Sequence, residues 1–108
     1  MNSRNKGNLA EDRACEYLQK LGYKIVERNF YCKGGEIDII AYKDEVFHFI
    51  EVKSGKNFEP IFNITTSKLK KVIKCSYFYM KKNMIKSAFC IDAIIVKDDI
   101  EFIKNITL

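Results

Sequence analysis

Two short polar reversals, Lys33-Gly34-Gly35 and Lys43-Asp44-Glu45, separate three apolar stretches in this 108-residue chain. Connections of that length join antiparallel neighbours, because a parallel return needs a crossover of a dozen or more residues. The stretches 23–31, 36–42 and 46–53 are therefore expected to form a β-meander. Gly34 and Gly35 supply the permissive backbone of the first turn. What remains of the chain must cover the two faces of that sheet.

Before the meander, Ala10, Ala14, Tyr17, Leu18 and Leu21 recur at helical spacing, and Gly22 follows where a C-cap glycine belongs, so a helix is expected over 8–21. After it, 54–63 carries polar turn formers and Pro60 and reads as a loop. Thr65, Thr66 or Ser67 can cap a second helix reaching about Asn83. Its buried side would hold Leu69, Val72, Ile73, Ser76 and Met80, and its other side Lys70, Lys71, Lys74 and Lys81. Ala88–Val96 is almost wholly apolar and is expected to lie inside the sheet, and Lys97-Asp98-Asp99 turns into a short edge strand over 100–103. The expected fold is α/β: one domain over 1–108 with an α-β-β-β-α-β core plus an edge strand. Its mixed sheet would carry a helix on each face, the strand-helix-strand unit being a right-handed crossover.

The second feature is charge inside those strands. Gly35-Glu36-Ile37-Asp38-Ile39-Ile40 is followed, thirteen residues after Asp38, by Glu51-Val52-Lys53. An unpaired charge in an apolar strand costs several kcal/mol or more, so its presence calls for a use. Strand alternation sends Glu51 and Lys53 to one side and Val52 and Ile50 to the other. If Asp38 lies level with them on the next strand, two carboxylates and an ammonium converge. Two such oxygen donors suit Mg²⁺ or Mn²⁺, and the lysine can balance charge on a phosphoryl group.

Nineteen Lys+Arg against fourteen Asp+Glu leave a formal charge of +5, which favours an acidic partner without proving nucleic acid. Cys15, Cys32, Cys75 and Cys90 contain no C-x-x-C pair and have one histidine for company, so no zinc site is expected. The chain opens on a polar segment and its apolar runs are strand-sized, so a cytoplasmic protein with free thiols and no membrane span is expected.

The element order, with Asp38 on the second strand and Glu51-x-Lys53 on the third, resembles the PD-(D/E)XK nuclease superfamily and its restriction-endonuclease-like core. Asn8-Leu9-Ala10-Glu11, Arg28-Asn29-Phe30, Gly34-Gly35-Glu36-Ile37-Asp38 and Phe49-Ile50-Glu51-Val52-Lys53 resemble the YraN-like family of small bacterial proteins, with a layout similar to Holliday-junction resolvases. The resemblance spans nearly the whole chain. It implies a metal-dependent endonuclease with Asp38, Glu51 and the Val52 carbonyl as ligands of Mg²⁺ or Mn²⁺, and Lys53 as the catalytic lysine. Glu11 would be an acidic residue directed at the metal through water. Lys68 stands where the family tends to carry a lysine. Where the family usually places a basic residue just after Glu-Val-Lys, this chain has Ser54 and Gly55 before Lys56.

Each assignment has a plainer competitor. Glu11 at position N3 could close a capping box with Asn8. Glu36, two residues from Asp38, is expected on the same face as Asp38, as a supporting group or a solvated strand end. Asp38, Glu51 and Lys53 could be a structural ion pair across strands. His48 falls on the face opposite Glu51 and is expected to be packed or at the surface, and Asp92 is expected to pair with Arg28 or a backbone donor. Tyr77, Phe78 and Tyr79 are read as packing residues ahead of base-stacking ones. Lys68, Lys70, Lys74 and Lys56 are the candidate phosphate contacts. The partner expected is nucleic acid, DNA ahead of RNA, with branched forms and a homodimer left open. The rival readings are a non-catalytic nucleic-acid-binding module acting through a partner protein, and a protein-interaction domain whose basic face meets an acidic protein.

Overall fold

A computed structural model describes residues 3–55 and 65–107. The elements run α1 (Ser3–Lys20), β1 (Lys24–Cys32), β2 (Gly35–Lys43), β3 (Val46–Ser54), α2 (Thr66–Lys82), β4 (Ala88–Val96) and β5 (Ile100–Ile103). The sheet order is β1-β2-β3-β4-β5. β1–β2 and β2–β3 are antiparallel, as the two short reversals require, and β3–β4 are parallel across the α2 crossover. The expected α-β-β-β-α-β core with its edge strand is the fold observed. Most of the loop expected over 54–63 falls outside the described residues.

Each helix buries one stripe on one sheet face. Ala10, Ala14 and Leu18 of α1 pack with Ile39, Ala41, Ile50, Ile94 and Val96, while Val72, Cys75, Tyr79 and Met80 of α2 pack with Phe30, Ile37, Ile40, Phe49 and Ile91. α1 stops at Gly22, whose φ of +94° is open to glycine at little cost, with Gly22 N–H donating to the Gln19 carbonyl and Tyr23 N–H to the Leu18 carbonyl. α2 starts at Thr65, whose hydroxyl accepts from the Lys68 amide.

Two sequence expectations are corrected here. α1 begins at Ser3, so Asn8 is an interior helical residue and cannot be the N-cap of a capping box with Glu11. Cys32 and Cys75 are not free thiols but form a disulfide between the end of β1 and α2, with Cα atoms 5.7 Å apart. Their positions, 43 residues apart in sequence, close a loop worth roughly 4 kcal/mol in chain entropy. No spacing motif marked them, because the pairing depends on α2 lying over the β1–β2 hairpin.

That hairpin approaches α2 closely at Gly35. A Cβ there would stand 3.3 Å from Cys75 Sγ and from Lys71 Cβ, and 3.4 Å from the Lys71 carbonyl oxygen. Gly34, by contrast, is glycine for its φ of +87°.

Candidate metal centre and basic groove

Asp38 sits where the sheet loses its regular pleat. Ile37 and Ile39, two residues apart, belong to opposite faces, and so do their β1 partners Phe30 and Arg28, the first packed under α2 and the second paired with α1. Asn29 between those partners has φ of +53°. Alternation therefore breaks at Asp38, and Glu36 need not share its face as strict period two would require. Beyond Ile39↔Ile50 the ladder between β2 and β3 ends, and the Asp38 side chain continues it: the Val52 amide donates to Asp38 Oδ2 at 2.8 Å. This bond brings Asp38 beside Glu51.

Glu51 points to the α2 side and is 5% exposed. Its Oε1 accepts from Lys68 Nζ at 2.7 Å, while Oε2 is buried and has no hydrogen-bond partner among the described residues. A buried carboxylate oxygen without a donor is costly and marks a position that a cation or water would satisfy. Burial and then the Glu51 charge push the Asp38 carboxyl up to about 7, against the lowering effect of the Val52 amide. The hydrogen bond to Glu51 raises the pKa of Lys68.

Glu11 reaches this region from α1. Its side chain is 12% exposed and pairs with Arg28 at 3.3 Å, and its charge is felt at Asp38. Arg28 also binds Asp12 at 2.8 Å, which removes it as the expected partner of Asp92. Lys53 follows Glu51 on β3 and is exposed. The Lys68 ammonium, from α2, is in contact with Glu51.

A groove of about 440 Å³ opens beside Glu51, lined by Tyr31, Gly34, Gly35, Glu36, Thr65, Ser67, Lys68, Lys71 and Val72. Lys68 lines it, whereas Lys70 and Lys74 are exposed outside its lining, and Lys56 lies outside the described residues. Lys71 takes the place that sequence reasoning offers to Lys70. The signal is available, since Lys71 stands at i+3 from Lys68 on the same helix and Lys70 does not. The first turn of α2, whose capping Thr65 and second residue Ser67 line the groove, holds no acidic residue, so the positive end of its dipole adds to Lys68 and Lys71 there, against the lining carboxylate Glu36.

The aromatic run on α2 divides. Tyr79 is buried against Phe30, Phe47 and Phe49, but Tyr77 and Phe78 are 60% and 51% exposed, Tyr77 meeting Phe89 edge-on and Phe78 lying tilted against Phe30. On the opposite sheet face His48 pairs with Asp92, their Nδ1 and Oδ2 atoms 2.7 Å apart, and the Asn105 amide donates to Asp92 Oδ1 at 2.7 Å. Asp92 thus finds the backbone donor expected of it, and a histidine in place of Arg28.

No helix among the described residues is long and apolar enough to cross a membrane. The sequence profile of the uncharacterised protein family UPF0102 matches residues 10–96. A UPF0102 protein of Helicobacter hepaticus is 58% identical over 109 residues, which cover 100% of this chain and 99% of that protein. One of Wolinella succinogenes is 56% identical over 107 residues, covering 98% and 99% of the two chains. A UPF0102 protein of Helicobacter pylori is 58% identical over 105 residues, covering 96% and 92%. The YraN-like resemblance carried by 34–38 and 49–53 therefore holds, and the chain belongs to the UPF0102 family.

Proposed function

We propose that this protein binds nucleic acid in the α2 groove and hydrolyses phosphodiester bonds with a divalent cation held by Asp38 and Glu51. The observation that carries the reading is the buried Oε2 of Glu51, with no donor among the described residues, next to a second carboxylate whose pKa is lifted by burial and by that proximity. An all-oxygen donor set, with the Val52 carbonyl as a third member, suits a hard ion, Mg²⁺ or Mn²⁺. When bound, such an ion supplies positive charge to the scissile phosphate and acidity to a water molecule.

The chain's own groups divide the remaining work. Lys68 and Lys71, with the α2 N-terminus, hold the phosphate backbone against the groove, and exposed Tyr31 offers a ring on which a base can stack. Lys53 stabilises the charge that develops on the phosphoryl oxygens, and Glu11 adds negative field at Asp38. DNA is the favoured substrate, with branched forms and a symmetric pair of chains as the variants to try first.

One observation favours a second reading. The Lys68–Glu51 ion pair already neutralises one carboxylate without any ion, as a non-catalytic binding module would need.

Cleavage of single-stranded, duplex and branched DNA and RNA in Mn²⁺, with EDTA as control, decides between them. Asp38→Asn and Glu51→Gln should abolish Mn²⁺ binding by calorimetry with the fold intact. Lys53→Met should keep the metal and lose on the order of 10²–10³ in rate. Unchanged Mn²⁺ affinity in both carboxylate variants would remove the metal site, and binding without cleavage by the wild type would select the non-catalytic module.

A further inference from the structure

On the α1 face of the sheet, parallel pairing of His48 with Cys90 and of Ile50 with Asp92 brings a histidine, a thiol and a carboxylate together. Their ligand atoms all lie within 4.8 Å of one another. Asp92 is fully buried, and His48 and Cys90 are half-buried. We propose that His48 Nδ1, Cys90 Sγ and an Asp92 carboxylate oxygen form a second metal site, for a borderline-soft divalent cation such as Zn²⁺, distinct from the all-oxygen site on the α2 face.

Proton counting shows what a cation must displace. An imidazole Nδ1 offers either one proton or one lone pair. Here it stands 2.7 Å from Asp92 Oδ2 and 3.0 Å from Cys90 Sγ. With Nδ1–H donating to Asp92 Oδ2, the Cys90 thiol donates to the same carboxylate at 3.5 and 3.7 Å, and the three groups form a hydrogen-bonded cluster. A cation at the centre takes one lone pair from each of the three groups in place of those bonds, with the imidazole proton moved to Nε2.

The spacing is near what an ion requires. Bonds of about 2.0–2.3 Å in tetrahedral geometry put donor atoms roughly 3.3–3.7 Å apart. Cys90 Sγ is already 3.5 and 3.7 Å from the two Asp92 oxygens, so His48 is the group that must withdraw, by roughly half an ångström or a little more. Without an ion the thiol stays protonated, because burial and Asp92 push it up to about 12. A bound cation reverses that preference and sends the thiol proton to solvent. Nitrogen, sulfur and oxygen together select Zn²⁺ or Co²⁺ over Mg²⁺ and Mn²⁺. Three protein donors leave a fourth position for water or a small ligand.

The test is titration of the full chain with Co²⁺, followed by the thiolate-to-cobalt charge-transfer absorption. The wild type should develop the band to one equivalent, and excess Mn²⁺ should not remove it. Cys90→Ser should abolish the band while Cys15→Ser and Asp38→Asn retain it. His48→Gln, a milder change, should weaken Co²⁺ binding by at least the ~10–100-fold typical of losing even an outer-shell partner. Absence of a band in the wild type, a band that survives in Cys90→Ser, or unchanged affinity in folded His48→Gln would each overturn the proposal.

Discussion

The two faces of the sheet treat a buried carboxylate in opposite ways. Under α1, Asp92 has a partner for each oxygen, the Asn105 amide on Oδ1 and His48 on Oδ2. Under α2, Glu51 has one oxygen on Lys68 and one with no partner among the described residues, and Asp38 beside it is held toward its neutral form. The first arrangement is satisfied by hydrogen bonds without an ion, so a cation there must displace protons to bind. The second stores a cost that an added cation would relieve, and its partner Lys68 lines a groove. Burial alone therefore does not distinguish the two carboxylates. The count of donors separates one already satisfied within the protein from one that is not.

The sharpest way to break that contrast is to delete Asp92. Asp92→Ala strips the partner from His48 and the acceptor from the Asn105 amide, and should cost about 3–5 kcal/mol of unfolding free energy in urea. A loss below about 1 kcal/mol would mean that the α1 face does not depend on its satisfied carboxylate.

On the α2 face the sign should invert. The carboxyl of Asp38, raised from its ordinary 3.8 to about 7, binds its proton more tightly in the folded state. Its contribution then favours folding below the unfolded pKa and declines as pH climbs toward 7. In EDTA, Asp38→Asn should be the more stable protein at pH 8, by on the order of 2 kcal/mol after allowance for partial exposure, and should lose that advantage near pH 4. With Mn²⁺ present the wild type should recover, and its Mn²⁺ affinity should rise through about pH 7 as Asp38 ionises. Urea midpoints that move in parallel for the two proteins across that range would show that Asp38 carries no such strain.

The smallest effect concerns the groove. Lys68→Ala with Lys71→Ala should flatten the dependence of log affinity for duplex DNA on log salt by about one unit for each phosphate no longer neutralised. Lys70→Ala with Lys74→Ala, both outside the groove lining, should change it less. The reverse ranking, read from fluorescence anisotropy at several salt concentrations, would return the phosphate path to the outer face of α2.

Much of the fold is legible before any coordinates. The bounds of β4 are those its apolar run predicts, and the three strands of the meander differ from expectation by a residue or so at their ends. The true start of α1 is hidden because 3–7 carries no apolar periodicity to extend the helix, and Asn8 imitates a cap. Asp38, Glu51 and Lys53 stand out because charges in apolar strands are conspicuous. That Lys68 holds Glu51 is harder to read, since it depends on where the crossover helix begins over the sheet.

By itself the sequence determined what is periodic or local: two helices, a meander forced by short reversals, strand faces from alternation, and the donors' chemical types. Only the tertiary structure decided which distant residues meet. The Cys32–Cys75 bridge, the entry of Lys71 into the groove, and the convergence of His48 with Cys90 and Asp92 all join residues from separate parts of the chain. Each depends on the β3–β4 register or on the docking of α2; spacing along α2 pairs Lys71 with Lys68 but does not say which strand end the two lysines meet. The break of alternation at Asp38 belongs with them, because it depends on a pleat shared by two strands and not on either strand alone.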